Sequence, residues 1–340
     1  MTSTLVPAIL NEYGATTRAA LRKYLPTHEP RRHLYDLVAD YPLRGGKMMR
    51  PSLCIAAARA FGASTDDVLD SAVAIELLHN ALLIHDDIED ASEQRRGRPT
   101  LHAEHGIPLA LNAGDALTLI SLRPLIATHD RLGGEVAMRI IEETERMALA
   151  SAEGQALELG WREDNVLDLD DGDYLEMVLK KTCWLAAIYP MRVGAIIGTR
   201  GAVALDSFMR FGFFLGATFQ IQDDLLNLVA DQSYGKERDG DLWEGKRTLM
   251  LIQLYRESSP ADRDRLTAIM STDRTDRSLA DVCWIRAQMD RYGCIEYARR
   301  YAHRLAGVAL HEYSIAFSRL PDSRDKRFLE EMVTWVVERN

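Results

Sequence analysis

The chain predicts an all-α fold, and two observations carry that prediction. Apolar residues recur at helical spacing through most of the 340 residues. Runs that alternate polar with apolar are scarce, and no strand-helix-strand rhythm appears. Turn-forming residues fall between the periodic stretches: Pro42 with Gly45-Gly46, Gly62, Gly97 with Pro99, Gly133-Gly134, Gly172, Gly235, Gly240 and Pro321. About ten or more helices follow. No Pro/Gly/Ser-rich linker or shift of composition marks a boundary, so residues 1–340 read as one domain.

The elements follow in order. Lys47 and Arg50 sit three apart where a helix starts after the Gly45-Gly46 break. In 72–90, Val73, Leu77, Leu78, Ala81, Leu82 and Ile84 recur at helical spacing, with Asp66 and Asp67 placed to cap that helix. Residues 134–160 form a long run of helix formers rich in Ala, Leu, Met and Glu. The same periodicity holds over 174–199, 203–230, 247–256, 278–291 and 294–317, and a final amphipathic helix spans 324–339.

Hydrophobic residues make up 47% of the chain, ample for a large core. The formal net charge of -10 argues against binding nucleic acid through bulk charge. Cys54, Cys183, Cys283 and Cys294 form no Cys-x-x-Cys pair, which predicts reduced thiols in a cytoplasmic protein. The first residues show no charged stretch leading into an apolar one, so no signal peptide is expected. No run is expected to reach the ~20 apolar residues that span a bilayer; the stretch 109–122 is interrupted by Asn112 and Asp115.

Two acidic clusters stand out in apolar surroundings. Asp86-Asp87-Ile88-Glu89-Asp90 follows Leu82-Leu83-Ile84, and Asp223-Asp224-Leu225-Leu226-Asn227 follows the apolar run from Phe211 to Ile221. On a helix, Asp86 and Asp90 are i,i+4 and Asp87 and Asp90 are i,i+3, so their carboxylates occupy adjoining positions. Crowded carboxylates in an apolar setting need a compensating cation. Mg²⁺, held by one or two carboxylates together with substrate phosphates, fits that need. In the second cluster Asn227 offers a neutral amide oxygen as the third position.

Basic residues alternate with these clusters along the chain: Lys47 and Arg50, Arg95-Arg96, Lys180-Lys181-Thr182, then Lys236 and Lys246-Arg247-Thr248. Metal on carboxylates and phosphate on Lys/Arg together imply a ligand that carries phosphate or diphosphate. Gly240 to Lys246 imitates a P-loop, but Arg247 follows the lysine and no strand precedes it. His79, His85 and His102 lack a His-Glu-x-x-His pattern; His85 reads as a core or supporting residue, and His79, about two turns before Asp86, as a phosphate donor.

These motifs together resemble the trans-isoprenyl diphosphate synthase family. The resemblance is carried by Gly45-Gly46-Lys47-x-x-Arg50-Pro51, His79, Asp86-Asp87-x-x-Asp90, Arg95-Arg96-Gly97, Lys181-Thr182, Phe219-Gln220-x-x-Asp223-Asp224, Gly235-Lys236 with Asp241, and Gly245-Lys246-x-Thr248. It runs from about residue 40 to the C-terminus. It implies an all-α bundle around a deep central cavity, usually homodimeric. It implies that Asp86, Asp87, Asp90, Asp223 and Asp224 hold three Mg²⁺ on an allylic diphosphate. Arg95, Lys181, Gln220, Lys236 and Lys246 match positions that bind that diphosphate or its metals, with Thr182 beside them. Lys47, Arg50, His79 and Arg96 match the isopentenyl diphosphate site.

The implied reaction is ionisation of the allylic diphosphate, condensation with isopentenyl diphosphate and loss of a proton. In the family the residues four and five before the first aspartate floor the pocket for the growing tail. Here these are Leu82 and Ala81, with Leu78 nearby, and together with the Asp-Leu-Leu-Asn run at 224–227 they favour a C20 product, geranylgeranyl diphosphate. Farnesyl or longer products stay open. So do a class I terpene cyclase, which needs no isopentenyl diphosphate site, and a non-catalytic partner subunit. Trp184 would narrow the cavity if it faced it, and Arg123 is unusual in an apolar helix.

Overall fold

The computed structural model describes residues 4–229 and 239–339. Its helices are α1 (Leu5–Leu21), α2 (Asp36–Leu43), α3 (Met49–Ala60), α4 (Thr65–Glu89), α5 (Leu101–His105), α6 (Ile107–Leu132), α7 (Gly134–Glu163) and α8 (Asp171–Val178). A π-helical segment, Leu179–Ile188, then leads into α9 (Tyr189–Thr199) and α10 (Asp206–Val229). The remainder is α11 (Gly240–Glu244), α12 (Leu249–Glu257), α13 (Pro260–Met270), α14 (Leu279–Arg291), α15 (Cys294–Ala316) and α16 (Arg324–Glu338). Among the described residues the strands are β1 (Gln94–Arg95) and β2 (Arg98–Pro99), an antiparallel hairpin.

α4 runs through the middle of the bundle and packs on α6, α3 and α9, while α10 packs on α15 and the π-helical segment. Two apolar clusters result. The larger gathers side chains from α1 to α16, among them Val6, Ile55, Ile140, Ile196, Leu215 and Val333. The smaller lies between α2, α4 and α6 and holds Val38, Leu77, Ala81, Ile84, Ala113 and Leu117. The face of α4 that carries Leu77, Ala81 and Ile84 is thus spent on α6. The face one turn of angle away, Leu82, Leu83 and Asp86, is left for the interior cavity.

Three expectations change. The N-cap of α4 is Ser64; Asp67 takes part in the cap as expected, as the third helical residue, and Asp66 does not. Ser64 Oγ accepts the Asp67 amide, and Asp67 returns the bond to the Ser64 amide in a capping box. The stretch 174–199 is three elements, with a π-helical middle where an unbroken helix was expected. The absence of any helix long and apolar enough to cross a membrane does not hold by length and composition, since α4 and α6 both qualify. The apolar window of α4 is 72% buried inside the fold; that of α6 is only 44% buried. Leu111, Leu119, Leu122 and Ile126 of α6 lie exposed, and so do Met138, Ile141 and Leu149 of α7. Arg123 is exposed on that α6 surface.

Candidate active site

A cavity of ≈ 520 Å³ lies between α4, α7, the π-helical segment and α10. Asp86 enters it from α4, Glu158 from α7, Lys181 and Thr182 from the π-helical segment, and Asp223 and Asp224 from α10. The two acidic clusters, far apart in sequence, therefore face one space. Local backbone chemistry places the cations around it. The π-helical turn re-aims Lys181 and Thr182 out of the α-helical register, a use such bulges often serve at functional sites. Gly154 allows this close approach, because a Cβ there would collide with the Lys181 backbone nitrogen. The β1–β2 turn has positive φ at both Arg96 and Gly97, so Arg95 and Arg96 diverge from one tight hairpin.

The first cluster does not present three carboxylates to the cavity. Asp86 receives Lys181 Nζ at 3.2 Å and Arg95 at 3.5 Å. Burial alone would raise its pKa, but Lys181, Lys246 and Arg95 hold it well below the usual carboxylate range. Asp90 receives Arg162 at 2.6 Å and Lys246 Nζ at 2.7 Å. Asp87 turns the other way. It is fully buried, accepts the Tyr41 hydroxyl at 2.5 Å and is bound by the Arg95 guanidinium. Of the three, Asp86 lines the cavity; Asp90, i,i+4 from it, is buried beneath Arg162 and Lys246, of which Lys246 lines the cavity, and Asp87 anchors Arg95.

The second cluster is likewise divided. Asp224 accepts the Tyr174 hydroxyl at 2.8 Å and the Gln220 amide at 2.7 Å, and Thr182 Oγ1 in turn donates to Gln220 at 2.8 Å. Burial pushes Asp224 up to about 6, with Asp223 and Glu158 adding to the rise. Asp223 faces Arg339 at 3.4 Å. Asn227 does not serve as a cavity ligand. Its side-chain oxygen accepts the backbone amide of Asp241 at 3.0 Å, which ties α11 to α10.

The same cavity carries a further basic side chain. Arg50 lines the cavity with His79, beside Phe219. Burial lowers Arg50 to about 10, which leaves it a cation, and burial beside Arg50 lowers His79 to about 4, which leaves it neutral. Arg96 donates to the Tyr41 carbonyl at 3.1 Å and to Asn80 at 3.3 Å. Lys47 stands 6.0 Å from the Trp335 ring, one residue before the left-handed backbone of Met48. Lys236 and Gly235 lie outside the described residues.

The chain-length expectation is corrected. Ala81 does not floor the cavity; it is fully buried against α6, and Leu78 belongs to the larger core cluster. Leu82, Ala152, Met177 and Leu185 form apolar wall in their place. Trp184 is buried in the core with Arg192 5.6 Å from its ring and is not part of the cavity wall. His85, expected as a core or supporting residue, lines the cavity and faces Asp115 at 3.3 Å, with its ring against Gly114.

Several site residues escaped the sequence reading. Glu76 is a buried carboxylate 3.7 Å from His79 and 3.0 Å from the Asn80 amide, and it counters the charge of Arg50 and Arg96. Glu158 meets Lys181 Nζ at 3.0 Å. Arg339, at the far end of the chain, lies 4.1 Å over the Phe219 ring. Single acids in long helices and a lone terminal arginine carry no spacing signal.

The donor set suits a hard divalent cation, since Asp86, Asp90, Asp223 and Asp224 all offer carboxylate oxygen. No three acidic, imidazole or thiol side chains among the described residues converge on one point.

Residues 32–285 match the family model described as polyprenyl synthetase. The chain is 34% identical to a short chain isoprenyl diphosphate synthase of Methanothermobacter thermautotrophicus, over 94% of this chain and 97% of that one. It is 30% identical to a geranylfarnesyl diphosphate synthase of Natronomonas pharaonis, over 98% of each. The crystal structure of a geranylgeranyl pyrophosphate synthetase from Pyrococcus horikoshii superposes with a TM-score of 0.86 at 31% identity, covering 98% of both chains. With the paired acidic clusters, the basic motifs and the all-α bundle around one cavity, these likenesses establish that the chain belongs to the polyprenyl synthetase family, the trans-isoprenyl diphosphate synthases.

Proposed function

We propose that the protein condenses isopentenyl diphosphate with an allylic prenyl diphosphate, with geranylgeranyl diphosphate as product. One observation supports this reading: a single cavity is lined by two groups of residues suited to two anions. One is Asp86 and Asp90 with Lys181, Lys246 and Arg95; the other is Arg50 with His79, backed by Arg96 and Glu76. A cyclase needs only the first.

Mg²⁺, bound by Asp86, Asp90, Asp223 and Asp224 in a set of three, would supply charge to neutralise the leaving diphosphate. Lys181 and Lys246 stay protonated: burial would lower both, but the surrounding carboxylates raise them. They stabilise the charge that grows on the diphosphate as the allylic C–O bond breaks. Leu82, Ala152 and Leu185 keep water from the allylic cation. Arg50 and His79 hold isopentenyl diphosphate so that its double bond attacks that cation. The proton released from the new chain passes to the departed diphosphate. Arg339 stands 3.4 Å from Asp223 and 4.1 Å over the Phe219 ring, both of which line the cavity.

The C20 product is supported by the geranylgeranyl pyrophosphate synthetase likeness and by the Leu82–Leu185 wall. The geranylfarnesyl relative marks C25 as the nearest competitor. The cores that span α1 to α16 support a single domain over 1–340. The exposed apolar faces of α6 and α7 support a homodimer through them. The unpaired Cys54, Cys183, Cys283 and Cys294 support a cytoplasmic location.

The test is an incubation series. Purified protein with Mg²⁺ receives isopentenyl diphosphate and a C5, C10 or C15 allylic partner. C20 alcohols after dephosphorylation are expected. Hydrocarbons formed without consumption of isopentenyl diphosphate would replace this reading with the cyclase.

A further inference from the structure

We propose that Glu158 and Glu244 are positioning residues that hold Lys181 and Lys246 beside the diphosphate while a divalent cation occupies Asp86 and Asp90. The proposal rests on the reading of those two aspartates as metal ligands. Its basis is a repeated geometry. Lys181 Nζ stands 3.2 Å from Asp86 and 3.0 Å from Glu158. Lys246 Nζ stands 2.7 Å from Asp90 and 2.7 Å from Glu244, with Asp241 further off at 3.9 Å. Each lysine is thus shared between one aspartate of the first cluster and one glutamate that belongs to neither cluster.

The sharing matters because a lysine and a metal ion compete for the same carboxylate. When the cation takes Asp86, Lys181 loses one of its two counter-charges in a buried setting. An ammonium left unpaired there is costly. Glu158 removes that cost, since the lysine swings from a shared position to a full pair without leaving the cavity. Glu244 does the same for Lys246.

Both glutamates are built to stay in place. Glu158 projects from α7, which Gly154 brings hard against the Lys181 backbone. Its Oε1 is buried with no hydrogen-bond partner among the described residues, so one oxygen is open to a second N–H. Glu244 accepts the Ser92 hydroxyl at 2.8 Å and faces Arg274 at 3.5 Å. Its position therefore does not depend on Lys246.

Glu158→Gln keeps the shape of the side chain and removes its charge. Lys181 is then left with Asp86 alone and competes harder with the cation. Calorimetric titration of Mg²⁺ into the full-length protein, with inorganic diphosphate present, should give a Kd raised about tenfold, the usual loss for a supporting partner of a metal ligand. Glu158→Asp should recover part of that loss. In a Lys181→Ala background, Glu158→Gln should cause no further loss, because the competitor is gone. Glu244→Gln with Lys246→Ala forms an independent second cycle. Equal Mg²⁺ affinity in wild type and both Gln variants would overturn the proposal. So would a Gln effect of the same size with and without the lysine, which would mark a simple loss of local charge. If the wild type takes up no Mg²⁺ with diphosphate, the metal reading itself falls and this one with it.

Discussion

Asn227 Oδ1 accepts the backbone amide of Asp241 at 3.0 Å. The amide at the third position of the second acidic cluster thus holds α11 against α10. Asn227→Ala should cost about 1–3 kcal/mol, the penalty for stranding a buried N–H, read as a lower denaturation midpoint. Asn227→Asp retains an acceptor and should leave the Mg²⁺ requirement little changed. A marked tightening of Mg²⁺ in Asn227→Asp would return this position to the metal site.

Asp87 and Asp86 should separate in kinetics although they are neighbours in sequence. Asp86→Asn should raise the Mg²⁺ concentration needed for half-maximal rate. Asp87→Asn should weaken the buried pair with Arg95 and the Tyr41 bond, lowering stability by roughly 3 kcal/mol, with the Mg²⁺ requirement close to wild type. Urea midpoints and Mg²⁺ titrations of the two variants measure the difference.

His79 gives a pH dependence with a definite sign. An unfolded histidine titrates near its ordinary value of 6.5, whereas burial beside Arg50 lowers it to about 4 in the fold. Between those values the unfolded chain binds a proton that the native state refuses. Stability should therefore fall as pH drops from 6.5 to 4, by up to about 1.4 kcal/mol per pH unit. His79→Gln should flatten the dependence of the thermal midpoint over this window.

Product length should follow Leu82 rather than Ala81. Leu82→Ala enlarges the apolar wall and should shift the product toward C25; Leu82→Phe should shorten it. Ala81→Phe should overpack the contact of α4 with α6 and cost about 1–3 kcal/mol. Chromatography of dephosphorylated products, together with melting curves, distinguishes the two sites.

The exposed faces of α6 and α7 should bury each other in a pair of chains. Leu119→Glu with Ile126→Glu should convert the particle to half its mass by sedimentation, since each side chain is about two-thirds exposed in a single chain. An unchanged mass in that double variant would place the dimer contact elsewhere or exclude one.

What the sequence disclosed was local. Asp86 and Asp90 could be placed on one face from their spacing alone, as could the helices from α7 to α16 that carry strong periodicity. Asp87 was misplaced because its partner Tyr41 lies 46 residues away and nothing local marks it. Ala81 was misplaced because its chain position says how near it is to Asp86, not which helix packs on its face. The π-helical segment Leu179–Ile188 packs against α7 and α10, and the apolar pattern does not distinguish it from an α-helix. Glu76, Glu158 and Arg339 joined the site through contacts between distant elements. Arg339, for example, reaches Asp223 across 116 positions.

The central claim is that one cavity carries two distinct anion sites, and the Michaelis constants of Arg50→Ala test it most directly. Loss of a charged contact to phosphate should raise KM for isopentenyl diphosphate about 10- to 100-fold. KM for the allylic diphosphate should stay near the wild-type value. Equal changes in both constants, or none in either, would contradict the account.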